Sequence, residues 1–151
     1  MVISLRCARR ILGEDFIKLA FEKAHEVAPE AKLFYNDYNA VKGYKRGRII
    51  EMLKDLIDDG VHIDGIGIKA HWGVNDPSIQ EIEDAIKMYA DLGIEIYITE
   101  LDAGMDSHTE KEQAQRYKEI FEVLIKYSDV ITNVTFPAVK KSLMIFLNIQ
   151  V

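Results

Sequence analysis

With 151 residues, 48% of them hydrophobic and 29% charged, the chain has room for one globular domain but not two large ones. A formal net charge of −6, with no long basic stripe, argues against a nucleic-acid partner. Cys7 is the sole cysteine, which excludes an intrachain disulfide and a Cys-based metal centre, and no apolar run is long enough to span a membrane.

The opening segment MVISLRCARR lacks the order of a signal peptide, so no export is expected from it. From about residue 13 to 28, Phe16, Leu19, Ala20, Ala24 and Val27 recur at helical spacing, and Pro29 follows the helix. Residues 32–36 read as a short strand. A second helix places Ile49, Ile50, Leu53, Leu56 and Ile57 on one face, with Gly60 as its C-terminal cap. Residues 63–68 (IDGIGI) form the next strand, whose glycines allow close backbone approach. Asp76 and Pro77 then suit the N-cap and first turn of a helix carrying Ile79, Ile82, Ile86 and Tyr89.

Gly93 closes that helix, and residues 94–99 form a third strand. Thr109 and Glu112 make a capping-box pair that opens a helix with Tyr117, Phe121 and Leu124 inward. A last strand covers 130–136. Strand starts near 33, 65, 95 and 130 mean consecutive βα units and a parallel sheet. A closed (β/α)8 barrel needs roughly 250 residues, so the expectation is a partial barrel of about four βα units, truncated at both ends.

Three strands end in polar clusters: Asn36-Asp37-Tyr38-Asn39, Lys69-Ala70-His71-Trp72 and Thr99-Glu100-Leu101-Asp102. Barrel enzymes carry their catalytic groups at the C-terminal ends of strands, which puts all three clusters on one rim. Amides and acids there would bond sugar hydroxyls, while Tyr38 and Trp72 would cover the apolar faces of pyranose rings. Each residue also has a plainer role. Asp37 and Asp102 can cap loops, His71 can be a structural histidine, and Trp72 and Tyr38 can be packing residues. Glu100 resists that treatment, because a carboxylate ending an apolar strand must be paired or desolvated at a cost.

A divalent ion held by His71, Glu100 and Asp102 is the competing chemistry. His25, His62 and His108 make no ligand spacing with His71, so no metal or other cofactor is expected. Gly65-Ile66-Gly67 lacks the turn-to-helix context of a phosphate loop, and no nucleophile elbow is present for a serine triad.

LFYNDYN at 33–39, GIGIKAHW at 65–72 and IYITELDAG at 96–104, in this order, resemble glycoside hydrolase family ten, the retaining endo-1,4-β-xylanases. The resemblance runs from about Ile11 to Phe136. It implies Glu100 as nucleophile, His71 bonded to that carboxylate and Asp102 orienting the histidine. Asn36, Tyr38, Asn39, Lys69 and Trp72 become substrate contacts, and xylan or xylo-oligosaccharides the partner. A β-glucanase of related barrel fold, or a sugar-binding module with a relic site, is the alternative. Members of the family are commonly extracellular.

Three departures qualify what the resemblance implies. A retaining glycosidase needs a second carboxyl about 5–5.5 Å from the first, and no Asn-Glu strand end precedes residue 33 to supply it. Lys69 stands where the family usually has Gln, and its charge would favour an ionised Glu100. Residues 137–151 read PAVKKSLMIFLNIQV and match no family segment. The expected organisation is therefore a non-matching 1–10, a partial catalytic barrel over 11–136 and a tail over 137–151, with both termini explained by a frameshift or gene-prediction error. Unpaired strand edges predict poor solubility and self-association, and the missing acid predicts negligible hydrolysis.

Overall fold

The computed structural model describes residue 13 and residues 15–105, 107–137 and 146–147. The expectations for 1–10 and for most of the tail lie outside them. The elements are α1 (Phe16–Val27), β1 (Phe34–Tyr38), α2 (Gly43–Asp58), β2 (Gly65–Gly73), α3 (Ile79–Ala90), β3 (Glu95–Gly104), α4 (Glu110–Lys126), β4 (Ile131–Thr135) and β5 (Phe146–Leu147). Strands β1 to β4 pair in sequence order and in parallel. The two residues of β5 add an antiparallel edge beside Val134 and Thr135, an element not predicted for the tail.

Local chemistry accounts for the element ends. Asp58 is the last residue of α2, and Gly60 follows at φ 78°. There the Gly60 N–H donates to the Ile57 carbonyl at 2.9 Å and the Val61 N–H to the Leu56 carbonyl at 3.0 Å, a Schellman closure. Thr109 and Glu112 form the reciprocal capping box at the start of α4. For α3 the expected cap is wrong. Ser78, not Asp76, is the N-cap and shares a capping box with Glu81, while Asp76 pairs with Lys42.

The core lies between the sheet and helices α2 to α4. Ile66, Ile68, Ile96, Ile98, Leu53, Ile82, Ile86, Ile120 and Leu124 are all buried in one cluster. Each such side chain contributes about 1.5–3 kcal/mol on burial. Tyr89 is fully buried, and its hydroxyl donates to the Ala40 carbonyl at 2.8 Å, which ties α3 to the loop after β1. Helix α1 differs, for none of its residues is buried. It is held by a Lys18–Asp59 ion pair at 2.8 Å and by His25 stacked on His62 at 4.3 Å between centroids.

Two strands run further than their hydrophobic patterns suggested. Strand β2 continues to Gly73 and β3 to Gly104, so the polar clusters stand on strand backbone and obey alternation. Ile66, Ile68, Ala70 and Trp72 point to the helical core, whereas Gly65, Gly67, Lys69 and His71 line the opposite, inner face. This corrects the reading of Trp72 as a sugar contact. It is only 5% exposed, on the side of the sheet away from His71.

The β2 glycines also act differently from expectation. They make room for side chains from the flanking strands to meet across β2. Phe34 of β1, in register with Gly65, and Tyr97 of β3, in register with Gly67, meet diagonally across β2 with ring centroids 4.0 Å apart. One row higher, the Thr99 hydroxyl donates to Asn36 Oδ1 at 2.9 Å, and a Cβ at Gly67 would lie 2.6 Å from that oxygen.

Candidate active site

Strand β3 carries an irregularity that sets the site. Lys69 pairs with Thr99 and His71 with Asp102, so β3 inserts one extra residue there relative to β2. Glu100 takes up the excess at φ 59°, the left-handed region, where a non-glycine residue is strained by about 1–2 kcal/mol. Alternation is broken by this bulge. Thr99 and Glu100 are both only partly buried, while Leu101 and Ala103 return to the core. The bulge re-aims Glu100 and leaves Asp102 on the same face.

The inner face is thereby assembled in register. Tyr38, Lys69 and Thr99 form one row, with His71 and Asp102 beyond it. His71 Nε2 lies 2.8 Å from Glu100 Oε2 and its Nδ1 lies 2.6 Å from Asp102 Oδ2. Lys69 Nζ is 3.2 Å from the other Glu100 oxygen. Both ring nitrogens face carboxylates, and only the imidazolium can donate from both.

The electrostatics follow from these contacts. Hydrogen bonds to Asp102 first and to Glu100 second raise the His71 pKa above the ordinary imidazole value. The bond to His71, helped by Lys69, holds the Glu100 carboxyl below its ordinary range. The sign is opposite for the two groups. Stabilisation by His71 is complete below the ordinary imidazole pKa and is lost as pH rises through its raised value. That from Glu100 is complete above the ordinary carboxylate pKa and is lost as pH falls through its lowered value. Between those limits the site holds an anion flanked by two cations.

Replacing Lys69 with Gln is expected to move the Glu100 titration upward, toward the ordinary carboxylate range, while His71 keeps it partly depressed. A carboxyl-carbon NMR titration reads this shift directly; a Glu100 midpoint unchanged in the variant would show that Lys69 does not act on the carboxylate.

Other predicted residues fall around this centre. Asn36 commits its carbonyl oxygen to Thr99. Tyr38 is 63% exposed at the end of β1, with Lys45 Nζ 3.5 Å above its ring. Asn39 adopts φ 53° just past the strand and donates to the Tyr44 hydroxyl at 3.0 Å. Asp37 turns from the site to Lys45 and the Tyr35 hydroxyl. Burial and the Asp37 bond together push the Tyr35 phenol well up. The Lys45 contact to Tyr38 left no trace in the sequence pattern, because it joins a strand end to a helix start across a turn. Among the described residues no group of three or more His, Cys, Asp or Glu side chains is arranged to hold a metal ion.

Comparison with known proteins identifies the family. The sequence profile of Glycosyl hydrolase family 10 matches residues 5–142. The chain belongs to glycosyl hydrolase family 10. It is 48% identical over 141 residues to an endo-1,4-beta-xylanase of Geobacillus stearothermophilus, a match covering 85% of this chain and 43% of that enzyme. A psychrophilic family 10 endo-beta-1,4-xylanase superposes with a TM-score of 0.80 at 45% identity, over 85% of this chain and 42% of its own. A xylanase from Paenibacillus barcinonensis superposes with a TM-score of 0.82 at 38% identity, over 90% and 45%. The four parallel strands alternating with helices are therefore part of a (β/α)8 barrel, and the chain spans less than half the length of these family 10 relatives.

Proposed function

We propose that this chain carries the nucleophile half of a retaining endo-1,4-β-xylanase site. The observation that supports it is Glu100, held as an anion between His71 and Lys69 on a bulged strand end. A carboxylate so placed suits attack on an anomeric carbon and is poorly suited to deliver a proton. In this mechanism Glu100 forms a covalent glycosyl-enzyme through an oxocarbenium-like transition state, and water then releases the sugar with retention. Asp102 keeps the imidazolium oriented, and Asn36, Tyr38, Asn39 and Lys69 are the candidate xylan contacts.

Among the described residues, none at the rim supplies the proton donor that cycle needs. Asp102 is engaged with His71, and Asp37 with Lys45 and Tyr35, so neither rim carboxylate suits the general acid. The chain alone is accordingly expected to bind xylo-oligosaccharides without cleaving them, and to self-associate through the β1 edge. Calorimetric titration with xylotriose, followed by analysis of the mixture for xylose and xylobiose, tests both parts. Binding without turnover supports the proposal. Turnover by the chain alone would overturn the missing acid, and absence of binding would remove the sugar site.

A further inference from the structure

Strand β3 outruns its neighbour on one side. Pairing with β4 ends at Ile98, yet β3 continues through Glu100 and Asp102 to Gly104. Backbone groups there that point away from β2 have no strand to bond, and a buried peptide group left unpaired is costly. Helix α4 supplies the missing partners from side chains. The Tyr117 hydroxyl accepts from the Ala103 N–H at 3.0 Å, and Gln113 Nε2 donates to the Ala103 carbonyl at 2.6 Å. Ala103 is 1% exposed and directly follows Asp102.

The same helix face also reaches β2. Arg116, one turn along from Gln113, is 3% exposed and donates to the Gly73 carbonyl at 3.2 Å and to the Pro77 carbonyl. Gly73 lies two residues beyond His71 and pairs in register with Gly104. Nothing in an ordinary amphipathic helix calls for a buried arginine bonded only to carbonyls among the described residues. Residues 113, 116 and 117 share one face of α4 by spacing. Through that face α4 grips the far ends of both strands that carry the carboxylate–imidazole–carboxylate chain.

We propose that Gln113, Arg116 and Tyr117 are positioning residues that set the spacing of Glu100, His71 and Asp102 by fixing the backbone beyond the bulge. The inference rests on the reading of those three residues as the site. Without the clamp, Ala103 is free to shift, and Asp102 with it, while the strained Glu100 backbone loses one of its anchors. The Asp102–His71 bond then lengthens and the imidazolium is less favoured.

The test is the titration midpoint of His71, followed by long-range proton–nitrogen NMR on the full labelled chain. In the unaltered chain it is expected above the ordinary imidazole value. Tyr117→Phe and Gln113→Leu are each expected to lower it by about 0.5 pH unit, a roughly threefold change in the protonation constant, in the direction taken by Asp102→Asn. Tyr127→Phe serves as control. It removes a comparable hydroxyl bond, to Glu83 at 2.7 Å, near the other end of α4, and is expected to leave His71 in place. Should Gln113→Leu fail to fold, Tyr117→Phe, which deletes a single oxygen, decides. A midpoint unmoved in Tyr117→Phe, or moved equally in Tyr127→Phe, overturns the clamp whatever happens to the melting temperature. An ordinary midpoint in the unaltered chain is a different failure, that of the site reading itself.

Discussion

Joining this chain to the N-terminal half-barrel of a family 10 xylanase is expected to yield xylan hydrolysis that Glu100→Gln reduces by about 10⁴- to 10⁶-fold, the scale of losing a nucleophile or its partner. Glutamine keeps the size of the side chain and removes the charge. His71 and Lys69 then face a neutral amide, whose remaining oxygen is too weak a nucleophile to form the glycosyl bond. Because the change is nearly isosteric, circular dichroism and melting should stay close to the parent hybrid. A second variant sharpens the test. Glu100→Ala opens space beside the anomeric carbon, where added azide can attack in a single displacement. On an aryl xyloside the product is then a glycosyl azide of inverted configuration. Retention of activity in Glu100→Gln would assign the nucleophile elsewhere, and an azide product of retained configuration would make Glu100 the acid/base instead, since azide would then have attacked a glycosyl-enzyme formed on another residue.

Gly65→Ala is expected to be among the most damaging single substitutions, costing about 3 kcal/mol at the upper end of overpacking penalties. The added methyl would sit 2.2 Å from Phe34 Cε1 and 2.4 Å from the Glu95 carbonyl oxygen. The ring can rotate away only by leaving its contact with Tyr97, and the carbonyl belongs to the neighbouring strand. At this chain length the corresponding fall in melting temperature is roughly 10 °C. Gly60→Ala makes a useful comparison, since its Cβ would meet nothing within 4 Å and only the φ of 78° opposes it. Equal melting of Gly65→Ala and the parent chain would show that the sheet yields at this row.

Much of the fold was open to reading from residue order. The 30-residue rhythm of apolar strands and amphipathic helices follows from period-2 and period-3.6 burial, and Thr109 with Glu112 or Gly60 mark ends by their own hydrogen bonds and dihedral preferences. Strand ends were less legible. A β-strand that leaves the core keeps its backbone pairing while its side chains turn polar, so Lys69 to Gly73 and Glu100 to Gly104 look like loops to a hydrophobic pattern. That error alone misplaced Trp72. Alternation along a continuing strand sends it into the helical core, opposite His71.

The sequence by itself determined the βα order, the caps at Gly60 and at Thr109 with Glu112, and which polar clusters follow the apolar part of each strand, because those depend on local periodicity and on contacts within a few residues. Only the tertiary structure decided which of those residues share a face. One extra residue in β3 turns Glu100 inward beside Thr99, and pairing with β2 then brings His71 between Glu100 and Asp102. Register and bulges arise from hydrogen bonds between strands some thirty residues apart, and no local pattern records them.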